Sequence, residues 1–257
     1  EGYVMTFDDI TALQQAQRKA AWADVARRIA HEIKNPLTPI QLAAERLKRR
    51  FLKEITSDPD TFAQCADTIV RQVGDIGRMV DEFSAFARMP QPIMKDENLS
   101  RIAQEVLILQ RNAHHEITYH LDLPDHGPMV RCDRRLISQA LINLLQNAAD
   151  AIAMVPRQAA SSEQGGGSAG EVWVRIAQEA ENIAIVVADN GVGLPKDDRN
   201  RLTEPYVTHK AKGTGLGLAI VKKIMEDHGG TVRLEDRAGE RGTVATLVLP
   251  VKDDHGA

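Results

Sequence analysis

Two long runs of apolar residues, spaced at alternating three- and four-residue steps, constrain this chain more than any other feature. The first runs through Val25, Ile29, Ile33, Pro36, Ile40, Ala43, Leu47 and Phe51. The second runs through Phe62, Ala66, Ile69, Val73, Ile76, Val80, Phe83 and Ala87. That period belongs to helices that each turn a narrow apolar seam toward another helix. The first helix is expected from about Thr11 to Phe51, with a kink at Pro36 and Pro39, since proline removes a helix hydrogen bond and crowds the preceding turn. Thr56-Ser57-Asp58-Pro59 reads as a break and restart, with Ser57 or Asp58 as cap and Pro59 in the new first turn. Two such helices form an antiparallel hairpin that buries little alone. Two hairpins from two copies close into a four-helix bundle, so a homodimer is the physical expectation.

Met89-Pro90-Gln91-Pro92 ends the second helix and reads as a hinge. Beyond it the pattern changes. Helices are expected at Leu99–Asn112, Asp133–Val155 and Leu216–His228. Strands are expected at Glu116–Leu121, Met129–Cys132, Glu171–Ala177, Asn182–Ala188, Thr231–Glu235 and Gly242–Leu249. This mixture gives an α/β two-layer sandwich of the α+β kind. Residues 156–170 form a Gly/Ser/Gln-rich loop expected to be mobile, and residues 1–10 read as a short strand left from a preceding domain. Aromatics make up only 4% of the chain and apolar residues 43%, a balance that suits helices and helix-on-sheet layers. The net charge of -4, with both signs dispersed, lacks the basic footprint of a nucleic-acid binder. Cys65 and Cys132 stand far apart with no metal-ligand spacing, and read as buried free thiols of a reducing compartment. No apolar run reaches membrane-spanning length. The chain opens on Glu1-Gly2-Tyr3 rather than on Met, which reads as a fragment and leaves a membrane anchor upstream open.

Five segments carry chemistry. In Ala30-His31-Glu32-Ile33-Lys34-Asn35-Pro36-Leu37, His31 is turned off the apolar seam and is accessible as a nucleophile. Glu32 can accept a proton from the ring, and Asn35, one helical turn on, can hold a water near a phosphoryl group. A lone His-Glu pair is usually a solvated surface; the longer string is far more specific. In Asn143-Leu144-Leu145-Gln146-Asn147, two amides share a helix face and could hold hydrated Mg²⁺, although surface amides explain them equally well. Asp189-Asn190-Gly191-Val192-Gly193 follows an apolar strand, and its carboxylate could accept from an exocyclic amine such as that of adenine. Gly213-Thr214-Gly215-Leu216-Gly217 opens a helix and offers backbone amides to phosphate. Each of these two glycine patterns is weak alone. Glu204-Pro205-Tyr206-Val207-Thr208-His209-Lys210 places Lys210 to reach a terminal phosphate, and Gly242-Thr243 is a modest candidate for the adenine side.

Order and spacing together are specific. The chain resembles the sensor histidine kinases of two-component signalling across nearly its whole length. HEIKNPL is similar to the H box, NLLQNAADA to the N box, DNGVG to the G1 box, EPYVTHK to the F box and GTGLGL to the G2 box. AWADVARRIAHEIKNPLTPIQLAAERLKRR is especially similar to the NtrY subfamily, and EGYVMTFDDIT resembles the last strand of a PAS sensor domain. The resemblance implies a PAS end and linker at 1–20, a dimerisation and histidine-phosphotransfer domain at 21–92, and a Bergerat-type ATP-binding domain at 93–257. It implies ATP and Mg²⁺, with His31 as phosphoacceptor, Glu32 as proton acceptor and Asn35 serving dephosphorylation of a response regulator of the NtrX kind. Asn147 would bind Mg²⁺ with Asn143 beside it, and Asp189 would contact adenine. Gly191, Gly193, Gly213, Gly215, Leu216 and Gly217 would shape the lid, with Thr208, Lys210 and Thr243 completing the ATP site. The implied setting is the cytoplasmic portion of a protein seated in a bacterial inner membrane.

Two positions depart from the pattern: Thr203 replaces the first Phe of the F box and Tyr206 the second. Weaker docking of the lid is the expected consequence. His209 also occupies a place often held by Thr. Two other readings compete. Hydrolytic ATPases of the Hsp90 or MutL type place a Glu one turn before the Mg-binding Asn, where this chain has Asn143, and an amide cannot serve as the base. A scaffold or phosphatase-dominant protein is the other, motivated by Thr203.

Overall fold

The computed structural model describes residues 11–87, 89, 91–156, 170–179, 181–208, 210 and 213–251. The expected strand within 1–10, most of the 156–170 loop and His209 lie outside them. The chain divides into two compact units between residues 90 and 91.

The first unit is a helical hairpin of α1 (Thr11–Phe51) and α2 (Pro59–Ala87). Ion pairs Lys34–Asp81 and Lys48–Asp67 join residues that advance along one helix and retreat along the other, so the helices are antiparallel. Asp58, not Ser57, caps α2: its Oδ1 accepts from Thr61 N at 3.0 Å. α1 continues through Pro36 and Pro39 rather than ending there. Each proline withholds one N–H, so the carbonyls of Glu32 and Asn35 lose their ladder donors beside His31. Thr38 adds a side-chain bond nearby, its hydroxyl donating to Lys34 O at 3.3 Å.

On α2 the residues that pack belong to the seam read from the sequence, whereas on α1 they lie beside it. Ala26, Ala30 and Ala44 of α1 are buried, as are Ala66, Val73 and Val80 of α2. Small side chains let the two backbones approach closely. Val25, Ile29, Ile33, Ile40 and Leu47, with Ile69 and Ile76, stay between 38% and 47% exposed within the single chain. A repeat shows which positions are apolar but not which neighbour covers them, and here the larger residues face away from their own hairpin. Cys65 is exposed rather than buried, and both cysteines are free thiols.

The second unit sets three helices on one face of a five-stranded sheet of order β2-β4-β5-β7-β6. The helices are α3 (Leu99–Ala113), α4 (Arg134–Ala153) and α5 (Gly217–Asp227). The strands are β2 (Ile117–Asp122), β4 (Gly170–Glu179), β5 (Asn182–Asp189), β6 (Thr231–Asp236) and β7 (Thr243–Pro250). β2 and β4 run parallel and the other neighbours antiparallel. Strand alternation sends Val172, Val174, Ile176, Ile183, Ile185 and Leu247 under the helices. A further pair, β1 (Lys95–Asn98) with β3 (Met129–Cys132), is antiparallel, and β1 was not expected. Among the described residues no helix is long and apolar enough to cross a membrane.

A polar knot fixes the start of α4. Asp133 is buried at the helix N-terminus. Its Oδ1 accepts from Arg135 N and Leu136 N, and its Oδ2 from Ile93 N at 2.9 Å and from the Arg135 guanidinium at 3.0 Å. Its own N–H donates to His228 Nε2 at 3.0 Å, while His228 Nδ1 lies 2.7 Å from Ile224 O. His228 is therefore neutral, with its proton on Nδ1. Burial alone would raise the Asp133 carboxyl, but Arg135 and the three backbone donors outweigh it and hold the carboxyl down to about 2. The folded value lies below the ordinary 3.8, so the stabilisation is present above pH ~4 and is lost as pH falls toward 2. Asp133→Asn is expected to cost the second unit about 2 kcal/mol at pH 7 and much less at pH 2.5, read from denaturant midpoints at both pH values. An equal loss at both would contradict the charge-based account.

Candidate functional site

The site of the second unit is assembled around α4. Asn143, Asn147 and Asp150 follow one another at four- and three-residue steps and so lie along one face of it. They meet two parts of the glycine-rich region. Asn143 Nδ2 donates to Gly217 O at 3.3 Å, which ties α4 to the first residue of α5. Lys210 Nζ donates to Asn147 Oδ1 at 2.7 Å and to Asp150 Oδ2 at 2.8 Å. A Cβ on Gly217 would stand 3.7 Å from Asn147 Nδ2, so the backbone there passes close over the amide.

Asp189 ends β5 and is 5% exposed. Its Oδ1 accepts from Gly191 N at 2.8 Å and from Thr243 N at 3.3 Å. Burial pushes its carboxyl above the ordinary range, against the pull of those backbone donors and of Arg237 and Lys210. Two glycines make the turn around it. Gly191 lies on the end of α4, where a Cβ would come within 2.6 Å of Ala151, and Val192 N donates to Ala151 O at 3.1 Å. Gly242, at φ 133, packs on the Asp189 carbonyl so closely that a Cβ would fall 1.8 Å from it. Gly193, at φ 83, faces Gly242 across this gap.

The segment between β5 and α5 folds back on itself. Lys210 N donates to Thr208 Oγ1 at 3.2 Å, and Gly213 N to Lys210 O at 3.2 Å. Tyr206 has the left-handed φ of 67 and donates from its N–H to Gly215 O at 3.1 Å. A Cβ on Gly215 would lie 2.7 Å from the Tyr206 carbonyl carbon, so the two stretches are pressed together. The Tyr206 ring remains 58% exposed. Leu216 is fully buried and anchors the segment before α5, with its N–H 3.3 Å from Thr214 Oγ1.

Three predicted groups therefore meet: Asn143 with Gly217, Asn147 with Lys210, and Asp189 with Gly191 and Thr243. α4 links them, since Asp150 and Ala151 are neighbours in sequence. Asp150 was missed as a site residue, although its position three residues after Asn147 on the same helix face was visible. The cation–π contact of Arg237 over Trp173, 4.0 Å to the ring centroid, was not visible, because it joins the turn after β6 to β4, distant in sequence.

In the first unit His31, Glu32 and Asn35 are all exposed on α1. Glu32 lies 3.8 Å from Arg28, and both side chains are more than 60% exposed, so this ion pair is weak and does not lock the carboxylate.

Comparison with known proteins agrees with this division. Residues 21–92 match the His Kinase A (phospho-acceptor) domain, and residues 132–253 match the histidine kinase-, DNA gyrase B- and HSP90-like ATPase family. The nitrogen regulation protein NtrY of Azorhizobium caulinodans is 55% identical over 96% of this chain and 31% of its own length. An NtrY-like sensor histidine kinase of Rickettsia prowazekii is 36% identical over 93% of this chain and 38% of its own. The chain thus spans about a third of the length of these relatives. Among solved structures, the catalytic domain of histidine kinase ThkA aligns with TM-score 0.52 and 29% identity over 62% of this chain and 99% of that one. ThkA in complex with its response regulator TrrA aligns with TM-score 0.63 over 98% of this chain and 70% of that one; at 23% identity this likeness concerns the fold.

Proposed function

The chain belongs to the NtrY-like sensor histidine kinases and carries their phosphoacceptor and ATP-binding domains, and from that premise we propose that it autophosphorylates His31 from ATP. The observation that carries this reading is the pairing, on one chain, of an exposed imidazole with a nucleotide pocket that lacks a carboxylate one turn before Asn147. Asn143 occupies that place and spends its amide on Gly217 O. A water there would have no base, whereas transfer to His31 needs no activated water.

In this reading Asp189 Oδ2 accepts from the adenine amine, because Oδ1 already takes two backbone donors. Gly191, Gly193 and Gly242 let the base come close to backbone. Asn147 and Asp150 offer the hard oxygen donors that suit Mg²⁺, and the Lys210 ammonium resting on both marks the place as one that receives a cation. When bound, Mg²⁺ neutralises charge on the phosphates. The N–H groups of Gly215 and Gly217 line the phosphate path at the head of α5, with Thr208, Lys210, Gly213 and Leu216 shaping its wall. A ring nitrogen of neutral His31 forms the bond to the γ-phosphorus as the bond to the ADP oxygen breaks. The proton on the other ring nitrogen passes to Glu32.

The exposed seam of Val25, Ile29, Ile33, Ile40 and Leu47 supports a homodimer with a four-helix bundle. The phosphoryl group then passes to an aspartate of a response regulator, of the NtrX kind that likeness to NtrY suggests. The domain limits 21–92 and 93–257, with a PAS end before them, belong to the same reading, as does a membrane-seated longer protein. Incubation with γ-labelled ATP and Mg²⁺ tests it: an acid-labile label on the chain is expected, and no label despite intact nucleotide binding would overturn it. Asn35 stands one turn from His31 on the same exposed face. Asn35→Ala is expected to leave autophosphorylation intact and slow dephosphorylation of the regulator about a hundredfold, the low end of what a positioned group supplies in such a step. An unchanged rate would remove Asn35 from that role.

A further inference from the structure

The contact between Lys210 and α4 has a consequence for how metal and nucleotide enter. Lys210 Nζ sits 2.7 Å from Asn147 Oδ1 and 2.8 Å from Asp150 Oδ2. One amide oxygen and one carboxylate oxygen thus converge on a single positive charge. The Lys210 side chain is 29% exposed and that of Asp150 43%, so solvent reaches the spot and a hydrated ion can enter it. Asp150 is oriented from its other side, its Oδ1 accepting from Gln146 Nε2 at 3.0 Å. Lys210 is not held by side chains alone. Its N–H donates to Thr208 and its carbonyl accepts from Gly213, so the lysine rides on the segment that leads into the phosphate loop. Displacing the ammonium from α4 therefore leaves its backbone close to that loop.

We propose that Asn147 and Asp150 together form one cation site, filled by the Lys210 ammonium in the nucleotide-free protein and by hydrated Mg²⁺ when nucleotide is bound. Two cations cannot share these two oxygens, so metal entry and Lys210 release are one exchange. The released ammonium, a compact charge on a flexible stem, is then available to a phosphate. Asp150 would offer the metal a carboxylate oxygen, and it tethers Lys210 in its absence. The inference rests on the ATP-binding reading above and adds to it a second metal-side residue and a competitor.

The test uses Mn²⁺ as the metal probe, followed by its electron paramagnetic resonance signal in the presence of saturating ADP. Lys210→Met removes the competitor and is expected to tighten Mn²⁺ several-fold. Asp150→Asn is expected to weaken Mn²⁺ several-fold, while Asp150→Glu restores part of the loss. A role for Asp150 in the fold alone would move neither reading in opposite directions. If Lys210→Met leaves Mn²⁺ affinity unchanged or weaker, the exchange is wrong. If Asp150→Asn leaves it unchanged, Asp150 is no part of the cation site. Failure of the underlying reading looks different: wild-type ADP binding would then be insensitive to Mn²⁺ and to Asn147→Ala.

Discussion

Replacing His31 by glutamine is expected to abolish the acid-labile label from γ-labelled ATP, a loss of about a thousandfold or more, as for removal of any reacting nucleophile. ADP affinity and thermal midpoint should stay at the wild-type values. The second half of that expectation is what makes the first informative. His31 is exposed on α1, away from Ala26, Ala30 and Ala44, which carry the contact with α2. Exposed substitutions of this kind usually change stability by less than about 0.5 kcal/mol. The glutamine keeps size and polarity but has no ring nitrogen with a lone pair to attack phosphorus. Persistent acid-labile label on the variant would place the acceptor at another histidine. His228 is a poor substitute, since it is buried with both ring nitrogens engaged.

Much of this arrangement could be read from the chain before any coordinates. Helix periods gave α1 and α2 within a residue or two of their observed ends, because an apolar repeat running from Val25 to Phe51, followed by a second from Phe62 to Ala87, leaves few other solutions. The α2 seam held Ala66, Val73 and Val80, which are buried, but the repeat did not single out the α1 residues that meet them, because it pools two kinds of contact. Alanines at 26, 30 and 44 serve the neighbouring helix of the same chain, and the larger residues beside them do not. β1 was missed for a different reason. Lys95-Asp96-Glu97-Asn98 has no strand propensity and becomes a strand only by pairing with Met129–Cys132, more than thirty residues away. The parallel pairing of β2 with β4 is likewise a property of the sheet and not of either segment.

The site shows the same boundary between local and distant information. Glycine positions, the two amides of α4 and the aspartate that ends β5 are local signals, and the structure gathers them around α4. The Lys210 contact with Asp150 joins residues 60 apart and has no local signature. Close approaches were legible only in part. Gly242-Thr243 was a modest candidate for the adenine side, but nothing local showed that the Cβ position of Gly242 is filled by the Asp189 carbonyl oxygen. That contact makes a glycine at 242 a condition for the pocket's shape.

Asp189→Asn is expected to weaken ADP binding by roughly 10- to 100-fold, the worth of a charge-assisted hydrogen bond lost in a buried setting, and to abolish labelling of His31 at ordinary ATP concentrations. The same substitution should leave the second unit as stable at pH 7 as the wild type, or slightly more so. The two effects have separate causes. Asparagine retains an oxygen that can accept from Gly191 and Thr243, so the turn closes as before. Its amide nitrogen then points where Oδ2 stood, and a donor meets the donor of the adenine amine. On the stability side, burial raises the Asp189 carboxyl. A folded value above the unfolded one means that the protein is more stable below the ordinary carboxylate range and gives up that margin as pH rises through the raised value. At neutral pH the ionised carboxylate is therefore a burden on the empty fold, and the neutral amide relieves it. Calorimetric titration with ADP and thermal denaturation, run on the same preparations between pH 5 and 8, separate the two. Weak binding accompanied by a lower midpoint would mean that Asp189 holds the turn together. Weak binding with an unchanged or higher midpoint means that its charge is kept for the ligand, at the expense of the protein that carries it.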